Sequence, residues 1–208
     1  MTAKKYGLAL HTTTPELGIS ISNFLQDNRQ QVWHLGRDLS SLLHHHLQAI
    51  IQPQTWQDLA FIAVAKGPGG FTGTRIGVVT ARTLAQQLNL PLYGISTLEA
   101  IAYNYAVNNN TNQLLAVEMV ARREQLFVGI YQLSSDGIWQ CYLPDAVMAD
   151  KTWQETLKSL QFSYKLIQAP EKIAYTVDDV LKLAHLQWQQ KPKGNWSEVI
   201  PFYGQNPV

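Results

Sequence analysis

The chain is short of several features that mark particular classes of protein. Its one cysteine, Cys141, cannot form a disulfide within the chain, which excludes a disulfide framework and favours a reducing compartment, so we predict a cytoplasmic protein. With 16 basic and 15 acidic residues, its formal net charge is +1. A protein that binds the phosphate backbone of a nucleic acid directly usually has a basic surplus. We therefore expect any contact with RNA to be indirect, through a partner.

Long hydrophobic runs are also missing. No stretch approaches the ~18 apolar residues that a membrane-spanning helix needs. The apolar part of the N-terminus ends at Leu10, before the polar His11, and is too short for a signal peptide. We expect no membrane association. The 208 residues are 46% hydrophobic, a content typical of a globular protein with one large domain or two lobes.

The familiar motifs of nucleotide and metal chemistry are absent or broken. The glycine loop Gly67–Gly70 is not followed by the lysine of a phosphate-binding loop. The third glycine of a dinucleotide-binding fingerprint is replaced by Thr72. Three consecutive histidines, at positions 44–46, would point about 100° apart on a helix and could not converge on one ion. From these residues we predict no metal and no cofactor.

The most informative segment runs from Lys66 to Leu92. An apolar run precedes it, the glycine loop opens it, and helical spacing continues until Pro91, which predicts a strand, a tight loop, a helix and a strand. Within that helix, small residues recur every four positions and form one strip: Gly73, Gly77, Ala81 and Ala85. A helical glycine costs about 1 kcal/mol relative to alanine, so the strip predicts a close neighbour. That neighbour is either the protein's own sheet or a partner chain.

The order of elements in the two halves of the chain is similar. The first half predicts the order βββαβαβα. Its predicted strands are Tyr6–Leu10, Ile19–Phe24, Gln31–Leu35, Leu59–Ala65 and Leu92–Ser96. Its predicted helices are Ser40–Ile51, the helix after the glycine loop, and Thr97–Tyr105. A polar, asparagine-rich stretch follows. The second half predicts three strands and then helices: strands 114–117, 126–133, 139–143 and 164–168, and helices 153–160 and 177–188. We predict a first lobe at residues 1–106, a linker at 107–113, and a second, reduced lobe at 114–208.

The segment around the glycine loop resembles a known family. The run Gly67-Pro-Gly-Gly-Phe-Thr-Gly-Thr-Arg-Ile-Gly77, with Ala81, Leu84, Ala85 and Leu90-Pro91-Leu92 after it, is similar to bacterial TsaB, the tRNA threonylcarbamoyladenosine biosynthesis proteins formerly classed as glycoprotease-like. Shorter matches are Leu8-Ala-Leu-His-Thr-Thr-Thr-Pro-Glu-Leu-Gly18, Thr97-Leu-Glu-Ala100, Ala121-Arg-Arg123 and Ile200-Pro-Phe-Tyr203. Both the resemblance and the two tandem lobes imply an α/β fold of the actin-like and Hsp70-like class, with two ribonuclease-H-like lobes of mixed sheet plus helices.

The resemblance also shows which chemical groups this chain lacks. Active actin-like proteins place a magnesium-binding carboxylate after the first strand, where the family pattern has aspartate and this chain has His11. The metal-binding H-x-x-x-H of the catalytic relative TsaD corresponds to Thr97 and Ile101, neither of which suits a metal. In the second lobe, Val120 replaces the aspartate of a D-A-R pattern. What remains is a candidate vestige of a nucleotide cleft, formed by His11, Thr12, Thr13, Gly67, Gly69 and Gly70.

Taken together, the resemblance implies a non-catalytic subunit. It would dimerise with a TsaD-like catalytic subunit, which transfers threonylcarbamoyl to the adenosine next to the anticodon in tRNAs that read A-starting codons. A TsaE-like ATPase is a possible further partner. Without TsaD, the protein would pair with a second copy of itself. The predicted partner interface comprises Phe71, Gly73, Ile76, Gly77, Thr80, Ala81 and Ala85. Gly77→Leu should then abolish capture of the partner without unfolding the protein. One alternative is an independent enzyme of the same fold, a small sugar-kinase-like ATPase or a peptidase, that depends on Thr12 or Glu118. Another is a homodimeric scaffold that makes no contact with TsaD.

Overall fold

Two mixed sheets organise the computed structural model, which describes residues 5–204. The strands are β1 Tyr6–His11, β2 Glu16–Ser22, β3 Asn28–His34, β4 Leu59–Ala65, β5 Leu92–Ile95, β6 Leu114–Val120, β7 Gln125–Leu133, β8 Trp139–Ala149 and β9 Tyr164–Gln168. The helices are α1 Leu39–Ile51, α2 Phe71–Leu88, α3 Thr97–Asn109, α4 Asp150–Ser159 and α5 Val177–Gln190. Within this described range, no helix has the length and apolar content needed to cross a membrane.

The first sheet has the strand order β3-β2-β1-β4-β5. Its first three strands are antiparallel neighbours, whereas β4 and β5 run parallel to β1. Every residue of β4 is buried, as expected for a continuous apolar strand at the centre of a sheet covered on both faces. Helices α1 and α2 bury their apolar residues on one face, in a core that includes Leu8, Leu10 and Val64. Helix α5 packs against β1, β2 and β4, with Leu181 next to Gly7.

The second sheet repeats this order with one strand fewer among the described residues. Its order is β8-β7-β6-β9, in which β6, β7 and β8 are antiparallel neighbours and β9 is parallel to β6. Its core lies under α4, whose Trp153 and Leu157 contact apolar residues of β6 and β7. The predicted α/β class, with two ribonuclease-H-like lobes and a reduced second lobe, is therefore confirmed.

The lobe boundaries differ from the predicted ones. Among the described residues, one compact unit contains residues 5–97 and 174–202, and the other contains residues 98–173 and 203–204. The C-terminal segment returns to the first unit because the apolar face of α5, including Val180 and Leu181, is buried against the first sheet. The predicted linker at 107–113 is also partly helical, since α3 continues to Asn109.

Candidate functional site

The glycine loop and the start of α2 pack tightly against the turn between β1 and β2. The Gly70 N–H donates a hydrogen bond to the Thr13 carbonyl at 2.7 Å, and the Thr12 hydroxyl donates to the Gly73 carbonyl at 2.8 Å. A Cβ atom at Gly69 would lie less than 3.0 Å from the Thr13 carbonyl oxygen. The Thr13 backbone therefore fills the space next to Gly69.

Two further segments fix the start of the loop. Gly67 has a φ of +105°, a conformation that favours glycine. Its carbonyl accepts a hydrogen bond from the Thr97 N–H at 2.8 Å, and the neighbouring Lys66 carbonyl accepts one from the Phe202 N–H at 2.7 Å. Because the tail at Phe202 lies directly over Gly67, a Cβ atom there would come within 3.0 Å of the Phe202 carbonyl oxygen.

His11 ends β1 and is completely buried, with 0% of its surface exposed. Strand alternation places it on the same face as Gly7, the face that α5 covers. Among the described residues, neither of its ring nitrogens has a hydrogen-bond partner. Burial lowers the pKa of His11 to about 3, so the imidazole is neutral at physiological pH. A neutral, fully enclosed imidazole cannot perform the role of an exposed magnesium-binding carboxylate.

All six predicted cleft residues do lie in one place, in the first unit. Thr12 and Thr13 are as buried as His11, however, and Gly67 is also buried. The Thr13 hydroxyl accepts a weak hydrogen bond from the Thr97 hydroxyl at 3.4 Å. This arrangement presents packed backbone and satisfied hydroxyls, with only Gly70 exposed.

The small-residue strip of α2 faces inward, which corrects the prediction that it forms a partner interface. Gly77, Ala81 and Ala85 are buried within their own unit. A Cβ atom at Gly77 would lie less than 3.0 Å from the Thr12 hydroxyl, and one at Gly73 less than 3.0 Å from the Thr12 carbonyl oxygen. The close neighbour is therefore the β1–β2 turn. Gly77→Leu should then unfold the protein rather than only weaken partner binding.

The outward face of α2 carries different residues. Phe71 is 42% exposed and Val79 is 53% exposed. Arg75 is exposed between them, while Ile76 and Thr80 are partly buried beside them. Of the predicted interface set, Phe71 is exposed and Gly73, Ile76 and Thr80 are partly buried, whereas Gly77, Ala81 and Ala85 are buried.

The other positions that the resemblance connects with catalysis are packed or hydrogen-bonded within the protein. Ile101, at the position of a missing metal ligand, is buried in α3. The Glu118 carboxylate accepts hydrogen bonds from the Trp153 indole N–H at 2.7 Å and the Gln168 amide at 3.2 Å. Across residues 5–204, no cluster of three or more His, Cys, Asp or Glu side chains could hold a metal ion.

One feature of the first unit was missed by the sequence analysis. A cavity of about 380 Å³ lies at the β5 edge of the first sheet, lined in part by Lys66, Tyr93 and Lys191. Its walls come from segments about 100 residues apart in the chain, so no local motif identifies it. The only available signal was a lysine directly before the glycine loop.

The comparisons with known proteins agree with one another on the family. The model of the family described as "TsaD: tRNA N6-adenosine threonylcarbamoyltransferase" matches residues 38–190. A TsaB protein of Bacillus subtilis (strain 168) is 41% identical over 102 residues, which cover 49% of this chain and 43% of that protein. A TsaB protein of Buchnera aphidicola subsp. Schizaphis graminum is 30% identical over 150 residues, covering 71% of this chain and 68% of that protein. The match thus spans less than half of the length of the Bacillus relative.

A solved structure supports the fold. It is an uncharacterised protein from Pseudomonas aeruginosa with similarity to peptidase YeaZ, and it superposes with a TM-score of 0.79 at 19% sequence identity. The superposition covers 97% of this chain and 100% of that one.

Proposed function

Because the chain belongs to the TsaB family of tRNA threonylcarbamoyladenosine biosynthesis proteins and carries a TsaD-like domain, we propose that it is a cytoplasmic, non-catalytic subunit. It would bind a TsaD-like catalytic subunit, with which a TsaE-like ATPase cooperates, and so support transfer of threonylcarbamoyl to the adenosine beside the anticodon. It would contact tRNA only through these partners. Without its catalytic partner it would form a homodimer.

The observation that carries this proposal is that the end of β1, in the first hairpin, holds His11 where a metal-binding carboxylate would be needed. Magnesium prefers oxygen ligands, whereas this position holds His11, which is neutral, completely buried and distant from solvent. At the positions of the TsaD metal ligands, Thr97 is buried and Ile101 belongs to the packed interior of α3. A loop built for close contact is thus retained while the groups that would perform chemistry are replaced.

The outward face of α2 is the proposed docking surface. It joins two exposed apolar side chains, Phe71 and Val79, with the cationic Arg75 between them. Apolar residues rimmed by charge on one helix face suit a helical partner surface. The occupant we assign is the TsaD-like subunit, because the family to which the chain belongs acts in the same tRNA modification.

We expect Val79→Glu to weaken binding of the TsaD-like subunit about tenfold or more, because it places an unpaired carboxylate in an apolar contact. The affinity would be measured by isothermal titration calorimetry with the purified subunit from the same organism. Val107→Glu is the matched control, since Val107 is also an exposed valine on a helix, at 46%, but lies on α3. Equal binding of wild type and Val79→Glu, or equal loss in both variants, would contradict the assigned surface.

A second experiment tests the non-catalytic part of the proposal. The purified protein alone should not hydrolyse ATP or cleave peptides, because His11 stands at the end of β1 instead of a carboxylate. The Glu16 carboxylate of the same hairpin is buried, and one of its oxygens lies 2.9 Å from the His34 Nδ1. ATP turnover would be followed by release of phosphate in the presence of magnesium. Turnover by the isolated chain that disappears in Glu118→Ala would support the enzyme alternative instead.

A further inference from the structure

The cavity at the β5 edge has the dimensions and surroundings of a ligand site. Its volume of about 380 Å³ falls within the range of roughly 300–1,000 Å³ that small-molecule sites occupy. Four segments of the first unit line it: Lys66 directly after β4, strand β5, the C-terminal end of α5, and residues 194–200. Leu92 and Val199 supply an apolar floor, and both are buried.

Lys66 is directed into this cavity by its surroundings. Its backbone is held at both ends, by a hydrogen bond from its N–H to the Ile95 carbonyl and one to its own carbonyl from the Phe202 N–H. Its side-chain stem lies over Gly94, where the Lys66 Cδ would be 3.2 Å from a Cβ atom. The side chain is half-buried. Its ammonium group forms no hydrogen bond or ion pair with the residues that the structure describes, and a partly buried cation normally has a partner.

Lys191, an exposed residue directly after α5, supplies a second cation to the lining. Its N–H donates to the Gln187 carbonyl at 2.8 Å, and its carbonyl accepts a hydrogen bond from the buried Tyr93 hydroxyl at 2.6 Å. These two bonds fix the backbone of Lys191 at the rim of the cavity. Its ammonium group likewise forms no ion pair within residues 5–204.

The other polar groups in the lining complete the site. Glu198 is the one carboxylate there, and it accepts a hydrogen bond from the Asn195 amide at 3.1 Å, so the lining has two lysines against one acid. Gln187 and Gln190 add amide groups. The Ile62 N–H donates a hydrogen bond to the Pro91 carbonyl, and the Lys66 N–H donates one to the Ile95 carbonyl. In a parallel pair of strands, alternate residues bond to the neighbouring strand, so Gly94 directs its N–H away from β4 and toward the cavity edge.

We propose that this cavity binds a small organic anion, with the Lys66 and Lys191 ammonium groups holding its carboxylate or phosphate. The Gly94 N–H and the two glutamine amides hydrogen-bond its polar body, and the apolar floor contacts its hydrocarbon part. The site is separate from the outward face of α2, so it does not depend on the proposed partner binding.

The experiment is a titration of the 15N-labelled full-length protein, followed by amide chemical shifts, with sodium phosphate in one arm and sodium glutarate in the other, at ionic strength held constant with chloride. We expect saturable shifts of the Gly94 and Gly194 amides in at least one arm. Saturation by phosphate alone assigns a phosphate-bearing ligand, by glutarate alone a carboxylate, and by both an anion site without preference between them.

Three variants distinguish the site from general attraction of anions. Lys66→Met and Lys191→Met keep the hydrocarbon stems, so the variants should fold, and each should weaken binding about tenfold because a charged hydrogen bond is lost. Lys193→Met is the matched control: Lys193 is exposed and does not line the cavity, so binding should be unchanged. No saturable shift in either arm, or equal weakening in all three variants, would overturn the proposal.

Discussion

Gly73→Ala is expected to destabilise the protein by about 2–4 kcal/mol, although the same substitution inside an ordinary helix is stabilising by about 1 kcal/mol. The sign reverses because the new Cβ atom would lie less than 3.0 Å from the Thr12 carbonyl oxygen. That oxygen belongs to the backbone of a buried turn and cannot rotate away. Relief would require α2 to move from the turn, which would break the hydrogen bond from the Thr12 hydroxyl to the Gly73 carbonyl.

The free energy of unfolding would be measured by urea denaturation of the wild type and two variants. Gly70→Ala is the control from the same motif: Gly70 has a φ of −62°, and a Cβ atom there would sit 3.4 Å from the Thr13 carbonyl oxygen, an ordinary contact. It should change the stability by less than about 1 kcal/mol. If Gly73→Ala is as stable as the wild type, the glycines are not required for the contact between α2 and the turn.

The same geometry explains what the spacing of small residues could and could not predict. A glycine or alanine every four positions correctly indicates that something approaches α2 closely. It does not identify the neighbour, because Thr12 lies about 60 residues earlier and reaches the helix only after β1 and β4 have paired. The outward-facing Val79 was overlooked because a single valine in a helical pattern carries no signal of its own.

The fold was predictable where local patterns were strong. The bounds of β4 and β9 agree with the predicted Leu59–Ala65 and Tyr164–Gln168, since both are short runs between clear turn signals. Strand β8 was predicted to stop at Leu143 but continues to Ala149. Pro144 and Asp145 resemble strand breakers, yet β8 is an edge strand, and the register shift between Val128 and Ile130 of β7 leaves both residues out of the regular pairing.

Long-range placement was less predictable than the elements themselves. The periodicity of α5 shows that Val180, Leu181 and Ala184 form an apolar face, but not which of two sheets that face covers. The structure places α5 on the first sheet, so the lobe boundary drawn from chain order was wrong. The cavity that contains Lys66 and Lys191 depends on this return of the chain, and so could not be predicted without it.

The second large effect that we expect is a loss of stability in acid caused by His11. Its pKa is lowered by burial from 6.5 to about 3 in the folded protein, while in the unfolded chain it keeps its ordinary value. Below pH 6.5 the unfolded chain binds a proton that the folded protein cannot accept, so stability falls as the pH decreases, until the pH reaches about 3. One pKa unit corresponds to about 1.4 kcal/mol, so the full loss is about 5 kcal/mol.

His11→Leu isolates this contribution, because leucine fills a similar volume and does not titrate. At pH 7 the variant should be at least as stable as the wild type, since two buried nitrogens without partners are removed, each at a cost of about 1–3 kcal/mol. At pH 4 its advantage in the free energy of unfolding over the wild type should be larger by about 3 kcal/mol. Burial also lowers the pKa of His46 and His185, but these groups are present in both proteins and cancel in the difference.

Urea denaturation of both proteins between pH 4 and pH 8 would measure that difference in the free energy of unfolding. His44→Gln is the control, because His44 is exposed on α1 and its replacement should leave the pH dependence of the wild type in place. A difference between His11→Leu and the wild type that stays constant across this range would mean that His11 takes up its proton equally in both states. The imidazole would then be accessible to water in the folded protein. The first hairpin would not be enclosed, and the non-catalytic assignment, which depends on that enclosure, would have to be abandoned.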